Sequence, residues 1–336
     1  MTNARVRIVA AGPLTSVQDR GRAGWRRFGA PPSGPIDRRA FAAALAALGL
    51  AADAAAIELS LGGLTIIAED TPVAIALAGA ATARIDGIAI GGWCVTTLMP
   101  GSQCRIEPTS ANWGYCALAG TIEAPAWLDS RSTHLIAGLG GGRLAAGDTL
   151  TIATARDDLA ATAIPPPERD PITEARIILG PQHRFFDTDV LARLTDQPFT
   201  TSARFDRMGL VLDGPPLPPN RIDMPSEPAI RGALQVDGDG RISLLTADHQ
   251  TTGGYPRIAV VVEPDIDRVA QLSPGSPLRF VAIDASKAIA LTRAAAAHDA
   301  AWLTRIADAR RPRPSLLTVN LIGGVVDALG DPGTPS

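Results

Sequence analysis

Short β-strand patterns separated by turn residues dominate the chain and determine the fold class that it can adopt. The 336 residues include 33 glycines and 28 prolines, and both residue types weaken helix interiors. Asp86-Gly87 between two apolar runs is a strong signal for a two-residue hairpin. The spacing of the runs favours a barrel or sandwich over alternating βαβ units. The predicted strands are 73–78, 83–90, 94–99, 103–106, 115–119, 149–153, 241–247 and 257–263.

Two helices are predicted among the strands. Arg38–Leu50 is rich in alanine, and Asp37 is placed to cap its first turn. Ser286–Arg310 is a long amphipathic stretch that begins after Asp284. We therefore expect a mainly β chain with few flanking helices.

The proline-rich stretch 164–171 divides the chain, because its prolines stiffen the backbone and its charges keep it in solvent. We expect an N-terminal β domain at 1–165, a C-terminal β domain at 172–285, and a helical extension with a tail at 286–336. Within that tail, residues 316–329 are apolar enough to dock on the body of the protein.

Charge and composition exclude several classes of partner. The net charge of −3 provides no basic surface for a nucleic-acid backbone. The first eleven residues lack the apolar run of a signal peptide, and the longest apolar run, Val73–Ala83, is too short to span a bilayer. Cys94, Cys104 and Cys116 lie in apolar segments without C-x-x-C spacing, which is typical of reduced core cysteines. We expect a cytoplasmic protein with no membrane or nucleic-acid partner.

Three polar clusters are the candidate functional segments. The densest is Asp248–Pro256, a loop between two predicted strands, where rigid scaffolds often carry function. Its glycines, Gly253 and Gly254, allow positive φ and close approach to a ligand. The alternative is a tight turn whose threonines bond their own backbone. The candidate residues of this loop are Asp248, Gln250, Thr251, Thr252, Gly253, Gly254 and Tyr255, followed by Arg257.

The second cluster spans Gly12–Asp37 and contains Gln18, Asp19, Arg22 and Ser33. An arginine fork there would suit a substrate carboxylate, whereas the alternative is a surface loop in which Asp37 only caps the next helix.

The third cluster spans Phe205–Gln235 and contains Arg207, Glu227 and Gln235. Glu227 is a candidate acid, base or partner for Arg207. Most carboxylates of this kind are ordinary surface groups.

Metal and phosphate motifs are missing from the sequence. The four histidines are far apart and have no cysteine cluster near them, so we expect no metal site. Lys287 is the only lysine, and its surroundings match neither a P-loop nor a biotinylation hairpin. Any ATP or biotin chemistry then needs lysine-bearing elements of another chain.

Together the motifs resemble the biotin-dependent carboxyltransferase family, which includes allophanate hydrolase subunit 2 and one of the subunits of bacterial ATP-dependent 5-oxoprolinases. The matching segments, in the family's order, are 12–22, 33–37, 58–63, 130–142, 206–209 and 248–256. The resemblance implies two cyclophilin-like β-barrel domains. Arg257 stands where the family often has a lysine, and Ser226-Glu227-Pro228 departs from the usual Ser-Glu-Gly. These two differences concern the substrate more than the fold.

The resemblance also implies a complex with a kinase-inhibitor-like partner and a third lactam-utilisation protein, which together open 5-oxoproline to glutamate with ATP. We expect Gln250, Thr251 and Thr252 to hold an oxyanion, and Arg22 or Arg207 to take the substrate carboxylate. Asp37, Asp248 or Glu227 would orient water.

Two alternatives remain open. One is carboxyl transfer with a separate biotinylated carrier protein. The other is a non-enzymatic role like that of a relative that counteracts an inhibitor of a sporulation kinase.

Overall fold

The computed structural model describes residues 2–109, 112–167, 172–222 and 224–310. Strands make up most of its regular structure, so the mainly β prediction is confirmed. Part of the predicted divider, residues 168–171, and all of the predicted docking tail at 316–329 lie outside the described residues.

The N-terminal half, residues 2–167, contains two antiparallel sheets. The first has the order β11-β12-β1-β4-β9-β6-β7, and the second has the order β13-β8-β5-β10-β3-β2. Their bounds are β1 Thr2–Ala11, β2 Ser16–Gln18, β3 Ala56–Leu59, β4 Leu64–Ala68, β5 Val73–Gly79, β6 Ala81–Ile85, β7 Ile88–Gly91, β8 Cys94–Leu98, β9 Gln103–Pro108, β10 Gly114–Leu118, β11 Thr121–Glu123, β12 Thr149–Ala155 and β13 Thr162–Ala163.

Strand β5 shows how the sequence separates the two cores of this half. Val73, Ile75 and Leu77 belong to one fully buried cluster that also draws on strands of the other sheet. The alternate residues of the strand are alanines, and they belong to a second cluster with helix α1, Arg38–Leu48. Because side chains alternate between the faces of a strand, large residues fill the space between the sheets and small ones let the helix approach.

The C-terminal half, residues 172–282, contains a closed seven-stranded barrel. Neighbouring strands of the barrel are antiparallel, except that β14 and β22, which close it, are parallel. In barrel order the strands are β14 Glu174–Leu179, β21 Arg257–Val261, β18 Ala233–Val236, β19 Ile242–Leu245, β16 Gly209–Asp213, β15 Phe199–Phe205 and β22 Pro277–Ala282. A separate two-stranded ladder pairs β17, Glu227–Pro228, with β20, Thr252–Gly253.

Four α-helices complete the described chain, and two of them were not predicted. Helix α1 and helix α4, Ala285–Ala309, match the predicted helices and are capped by Asp37 and Asp284. The unpredicted helices are α2, Thr188–Asp196, and α3, Glu263–Ala270. The predicted strand 257–263 is therefore too long, because it stops at residue 261 and α3 begins two residues later. Short 3₁₀ helices lie at Arg26–Phe28 and Pro181–Phe185.

Helix α4 follows the barrel in sequence and packs on the N-terminal half. Trp302 is 2% exposed, lies 6.2 Å from the ring of Trp93, and donates its indole N–H to the Pro165 carbonyl at 3.0 Å. Arg39 of α1 reaches Asp299 of α4 at 2.6 Å. Within the described part of the chain, no helix is long and apolar enough to cross a membrane.

Candidate functional site

A buried ionic network joins the two halves beneath the candidate loop. Arg207 is 1% exposed and binds both oxygens of Asp248, each at 3.0 Å. The same guanidinium donates to Glu58 and, at 2.7 Å, to the Gly34 carbonyl of the N-terminal half. Burial alone would lower the pKa of Arg207, but the carboxylates of Asp248 and Glu58 together raise it.

Arg207 and Asp248 therefore neutralise each other's charge and share two hydrogen bonds. Gln18 adds its amide oxygen to the Arg207 guanidinium at 3.3 Å, and Glu58 uses its second oxygen for the Tyr115 hydroxyl and the Ile36 amide, both at 2.8 Å. We assign Arg207 and Asp248 to positioning the loop, in place of the predicted contacts with substrate and water. Glu58, which sequence reasoning named only within a motif, completes this network.

Arg22 is also an interior residue. It is 2% exposed, donates to the Ser33 hydroxyl at 3.0 Å and to the carbonyls of Pro31, Trp127 and Ser132, and lies 4.7 Å from the Trp127 ring centre. Burial lowers the pKa of Arg22. Because its N–H groups are bonded to backbone oxygens and to the Ser33 hydroxyl, this guanidinium has a structural role in place of the predicted contact with a substrate carboxylate.

Asp19 stabilises the same loops through hydrogen bonds to its carboxylate. Its carboxylate accepts from the Ser130 and Ser132 hydroxyls at 2.7 and 2.8 Å, and from the amides of Gly21 and Arg131 at 2.8 and 2.6 Å. The structure thus brings the predicted residues Gln18, Asp19, Arg22 and Ser33 together as the internal support of two loops.

Asp37 caps helix α1, as the alternative interpretation of the second cluster expected. It accepts from the amides of Arg39 and Ala40 at 3.1 and 2.9 Å and from the Gln271 side chain at 2.8 Å. Burial, reinforced by the negative charge of Asp267, raises the pKa of Asp37 to about 6.

The candidate loop presents a pair of side-chain amides. The Gln250 side chain donates its Nε2–H to the side-chain Oε1 of Gln235 at 2.7 Å. A Cβ on Gly253 would lie 3.1 Å from the amide nitrogen of Gln235 and 3.2 Å from that of Gln250. Gly253 is therefore the point at which both amides converge. The expectation of positive φ at Gly253 and Gly254 is wrong, because neither lies in the left-handed region and Gly253 belongs to strand β20.

Glu227 lies opposite that point. The β17–β20 ladder pairs it with Gly253. One Glu227 oxygen accepts from Gln182 at 2.5 Å and from Arg257 at 3.5 Å, while the side chain stays 41% exposed. Gln182, which sequence reasoning missed, also accepts from the Arg257 amide at 2.8 Å. Of the predicted carboxylates, Glu227 is thus the one that water reaches readily.

The amide pair borders a cavity of about 420 Å³ at the barrel surface. Asp206 lines this cavity and also a smaller crevice of about 140 Å³ between the halves. Arg143, an exposed residue without an ion-pair partner among the described residues, lines the same crevice. The cavity itself is lined by Arg204, Phe205, Asp206, Met208, Gly209, Val211, Gln235, Ser243, Leu245 and Gln250.

The remaining loop residues differ in exposure. Thr252 and Tyr255 are exposed, Thr251 is half-buried, and its carbonyl accepts from the Ala229 amide at 2.9 Å. His249 is buried with its Nδ1 2.7 Å from the Gln250 carbonyl, and burial lowers its pKa. The described residues contain no group of histidine, cysteine and acidic side chains suited to a metal ion.

Comparison with known proteins identifies the family. The model of the carboxyltransferase domain, subdomains A and B, matches residues 28–282. The chain belongs to this carboxyltransferase-domain family.

Among curated members, one of the 5-oxoprolinase subunits of Escherichia coli is 35% identical over 294 residues, which cover 84% of this chain and 93% of that protein. The urea amidolyase of Lachancea kluyveri is 29% identical over 82% of this chain, but the match covers only 17% of that longer enzyme.

Solved structures of the family show the same fold. TTHA0988 superposes with a TM-score of 0.75 at 29% identity, and the match covers 83% of this chain and 56% of that one. Kluyveromyces lactis urea carboxylase superposes with a TM-score of 0.80 at 24% identity over 90% of this chain and 29% of that enzyme. This carboxyltransferase-domain chain thus spans about half of the first structure and less than a third of the second.

Proposed function

We propose that this chain is the substrate-binding subunit of an ATP-dependent complex that hydrolyses a small amide bearing a carboxylate, with 5-oxoproline as the substrate. The observation that carries the proposal is the convergence of the Gln235 and Gln250 amides on Gly253, which pairs in the β17–β20 ladder with Glu227, a residue whose side chain stays 41% exposed. The near full-length similarity to a 5-oxoprolinase subunit supports the choice of substrate.

The amide pair has hydrogen-bond donors to spare. Each side-chain amide nitrogen carries two hydrogens, and Gln250 uses one of them on Gln235. The donors that remain suit an oxygen that gains negative charge, because preorganised donors stabilise developing charge better than mobile water does.

Glu227 supplies the proton acceptor in this scheme. Its second oxygen is free among the described residues, so it can take a proton from the water that attacks the amide carbon. We propose that Arg143, rather than Arg22, receives the substrate carboxylate, because it is exposed in the crevice that adjoins the cavity at Asp206 and has no ion-pair partner among the described residues.

ATP would phosphorylate the amide oxygen and release ADP, which makes the carbon of an unstrained lactam electrophilic. Attack of water at that carbon then opens the C–N bond to give an acyl phosphate, which a second water hydrolyses to glutamate and phosphate. The only lysine, Lys287, lies in the first turn of α4, so a P-loop lysine has to come from another chain. We therefore propose that the kinase-inhibitor-like and lactam-utilisation partners complete the nucleotide site.

The test is glutamate release from 5-oxoproline by the complex purified on the tagged chain, with and without ATP. We expect ATP-dependent glutamate, and a loss of turnover of roughly a hundredfold in Gln250→Ala. Gln197→Ala is the matched control, because Gln197 is exposed on the same half and lies outside the cavity. Wild-type rates in Gln250→Ala would exclude the amide pair as the site.

Carboxyl transfer is the second candidate, favoured by the family model and by the similarity to urea amidolyase. In that reaction the same donors would hold the oxygen of a urea-like acceptor, and a separate protein would carry the biotin. Incubation of the complex with carboxybiotin and a panel of amides decides the matter. A carboxylated acceptor would support transfer, and its absence for every amide would count against it.

A further inference from the structure

A second cavity lies in the N-terminal half, away from the amide pair. Its volume is about 770 Å³, within the range of sites for small organic ligands. It shares no lining residue with the cavity at Gln235 and Gln250. We call it the arginine cavity, and its lining residues with charged or aromatic side chains are Asp19, Arg20, Arg22, Trp25, Arg38, Asp53, Asp129 and Arg131.

Some charged side chains of the arginine cavity are bonded within the protein, and others have no partner among the described residues. Arg22 and Asp19 bind within the protein, as described above. Arg20 is exposed and has no partner among the described residues. The Nε–H of Arg131 is buried and has no acceptor among the described residues. A buried donor without a partner is costly, and a bound oxyanion would satisfy it. The two remaining carboxylates, Asp53 and Asp129, are exposed and therefore screened by water and salt.

The backbone around the cavity is held in an unusual conformation. Six non-glycine residues of the described chain have left-handed φ, and three of them line this cavity: Ser33 at 52°, Leu128 at 52° and Asp129 at 60°. This region is unfavourable for a bulky residue such as leucine, and strain of this kind concentrates at functional sites. The bonds of Arg22 to the Trp127 carbonyl and of Asp19 to the Arg131 amide hold the loop in place.

Apolar and aromatic side chains form the rest of the lining of the arginine cavity. Trp25 is half-buried in the lining, with Phe28 5.7 Å from it, and Pro32 and Leu128 complete the apolar surface. An aromatic face beside arginines suits a ligand with a planar or apolar body and an anionic group.

We propose that the arginine cavity binds a small organic oxyanion, either a phosphate ester or a carboxylate, with Arg20 and Arg131 on its oxygens and Trp25 against its apolar part. This site is separate from the proposed amide site, and its occupancy is measurable without turnover.

Calorimetric titration of the full chain with AMP, benzoate and adenosine tests the proposal. We expect AMP or benzoate to bind and uncharged adenosine not to bind. The tighter of the two anions identifies the group, phosphoryl or carboxylate. We expect Arg20→Ala to weaken binding roughly tenfold, because a hydrogen bond to a charged group is lost.

The controls separate this site from its neighbours. Arg27→Ala should bind as the wild type does, because Arg27 is exposed on the same loop but does not line the cavity. Gln250→Ala should also bind normally, even if it abolishes turnover. Arg20→Ala is an exposed change that leaves the buried network intact, so folding does not confuse the result. The proposal is overturned if neither anion binds, or if the Arg20→Ala and Arg131→Ala variants bind as tightly as the wild type.

Discussion

Arg207 shows how one side chain can determine the placement of a whole loop. Its guanidinium is fully buried and is shared between Asp248, at the start of the candidate loop, and Glu58, in the other half of the molecule. Removing one partner of a buried ionic group leaves the others charged and desolvated, which costs far more than an exposed ion pair contributes.

We predict that Arg207→Met lowers the free energy of unfolding by about 3–5 kcal/mol, because it leaves two buried carboxylates without a counter-charge. Arg241→Met is the control, since Arg241 forms an exposed pair with Asp239 at 2.8 Å, and its cost should stay within about 0.5 kcal/mol. Urea denaturation at pH 7 measures both. An equal, small effect of the two substitutions would show that the network does not stabilise the fold.

The Asp37 carboxyl gives the fold a pH dependence of definite sign. Its pKa rises from an ordinary value of 3.8 to about 6 through burial and the nearby Asp267. The folded protein thus favours the protonated carboxyl, and the stability that this group contributes is fully present below pH 3.8 and lost as the pH rises towards 6.

We therefore predict that the stability of the wild type relative to Asp37→Asn falls by about 2 kcal/mol between pH 4 and pH 7. The asparagine keeps an oxygen that can cap helix α1 and does not titrate. Parallel denaturation curves at several pH values give the difference directly. A difference that is constant across this range would mean that Asp37 ionises normally.

Among the predicted site residues, Gln250 is hydrogen-bonded to Gln235, and Glu227 pairs with Gly253 of the same loop. Arg22 and Arg207 have the same residue type as a ligand-binding arginine, and only the three-dimensional contacts show that buried acceptors occupy their donors. Asp206 was named only as part of a matching motif and Arg143 was not named at all, because what distinguishes them is exposure in a crevice.

At the level of secondary structure, turn residues between short apolar runs were the reliable signal. The Asp86-Gly87 hairpin forms as predicted, with Ile85 paired to Ile88 and both turn residues at positive φ. Helix α3 was missed because an apolar run leads directly into it, although Pro264 in its first turn was a start signal. Helix α2 was missed because only Val190 and Leu194 are buried, which is too few for a clear helical period.

Helix α4 is expected to depend on one aromatic anchor. We predict that Trp302→Ala destabilises the protein by about 3–5 kcal/mol, because the side chain is buried against Trp93 and Arg39 and its N–H is bonded. Ile289→Ala on the same helix is the control, since Ile289 is 52% exposed, and it should cost under about 1 kcal/mol. Thermal unfolding of the two variants at the same protein concentration distinguishes these effects. Similar unfolding midpoints for both variants would contradict the anchoring role of Trp302.

At the scale of the whole molecule, the two halves are joined by polar contacts and by a small buried apolar cluster of Ile36, Trp113, Ala247 and Ala270. The larger hydrophobic clusters belong to one half or the other. Besides the Arg207 network, Arg231 reaches the Ile36 carbonyl at 2.9 Å, and Asn112 donates to the Ala270 carbonyl at 3.0 Å. Such directional bonds fix the orientation of the halves, and the orientation in turn places Arg143 and Asp206 in one crevice between them. This arrangement depends on contacts between residues far apart in sequence, so no local pattern could predict it.

The proposed role of the amide pair beside Gly253 is to bind the reacting group, and a pair of glycine substitutions tests this role. In Gly253→Ala the new methyl group would press on both amides, whereas in Gly254→Ala it would meet only ordinary contacts at 3.6 and 3.8 Å. Glutamate release from 5-oxoproline with ATP should fall roughly tenfold or more in Gly253→Ala complexes, because small displacements of positioned groups are costly, and should stay near the wild-type rate in Gly254→Ala. Equal rates for the two variants would contradict the assignment of the site.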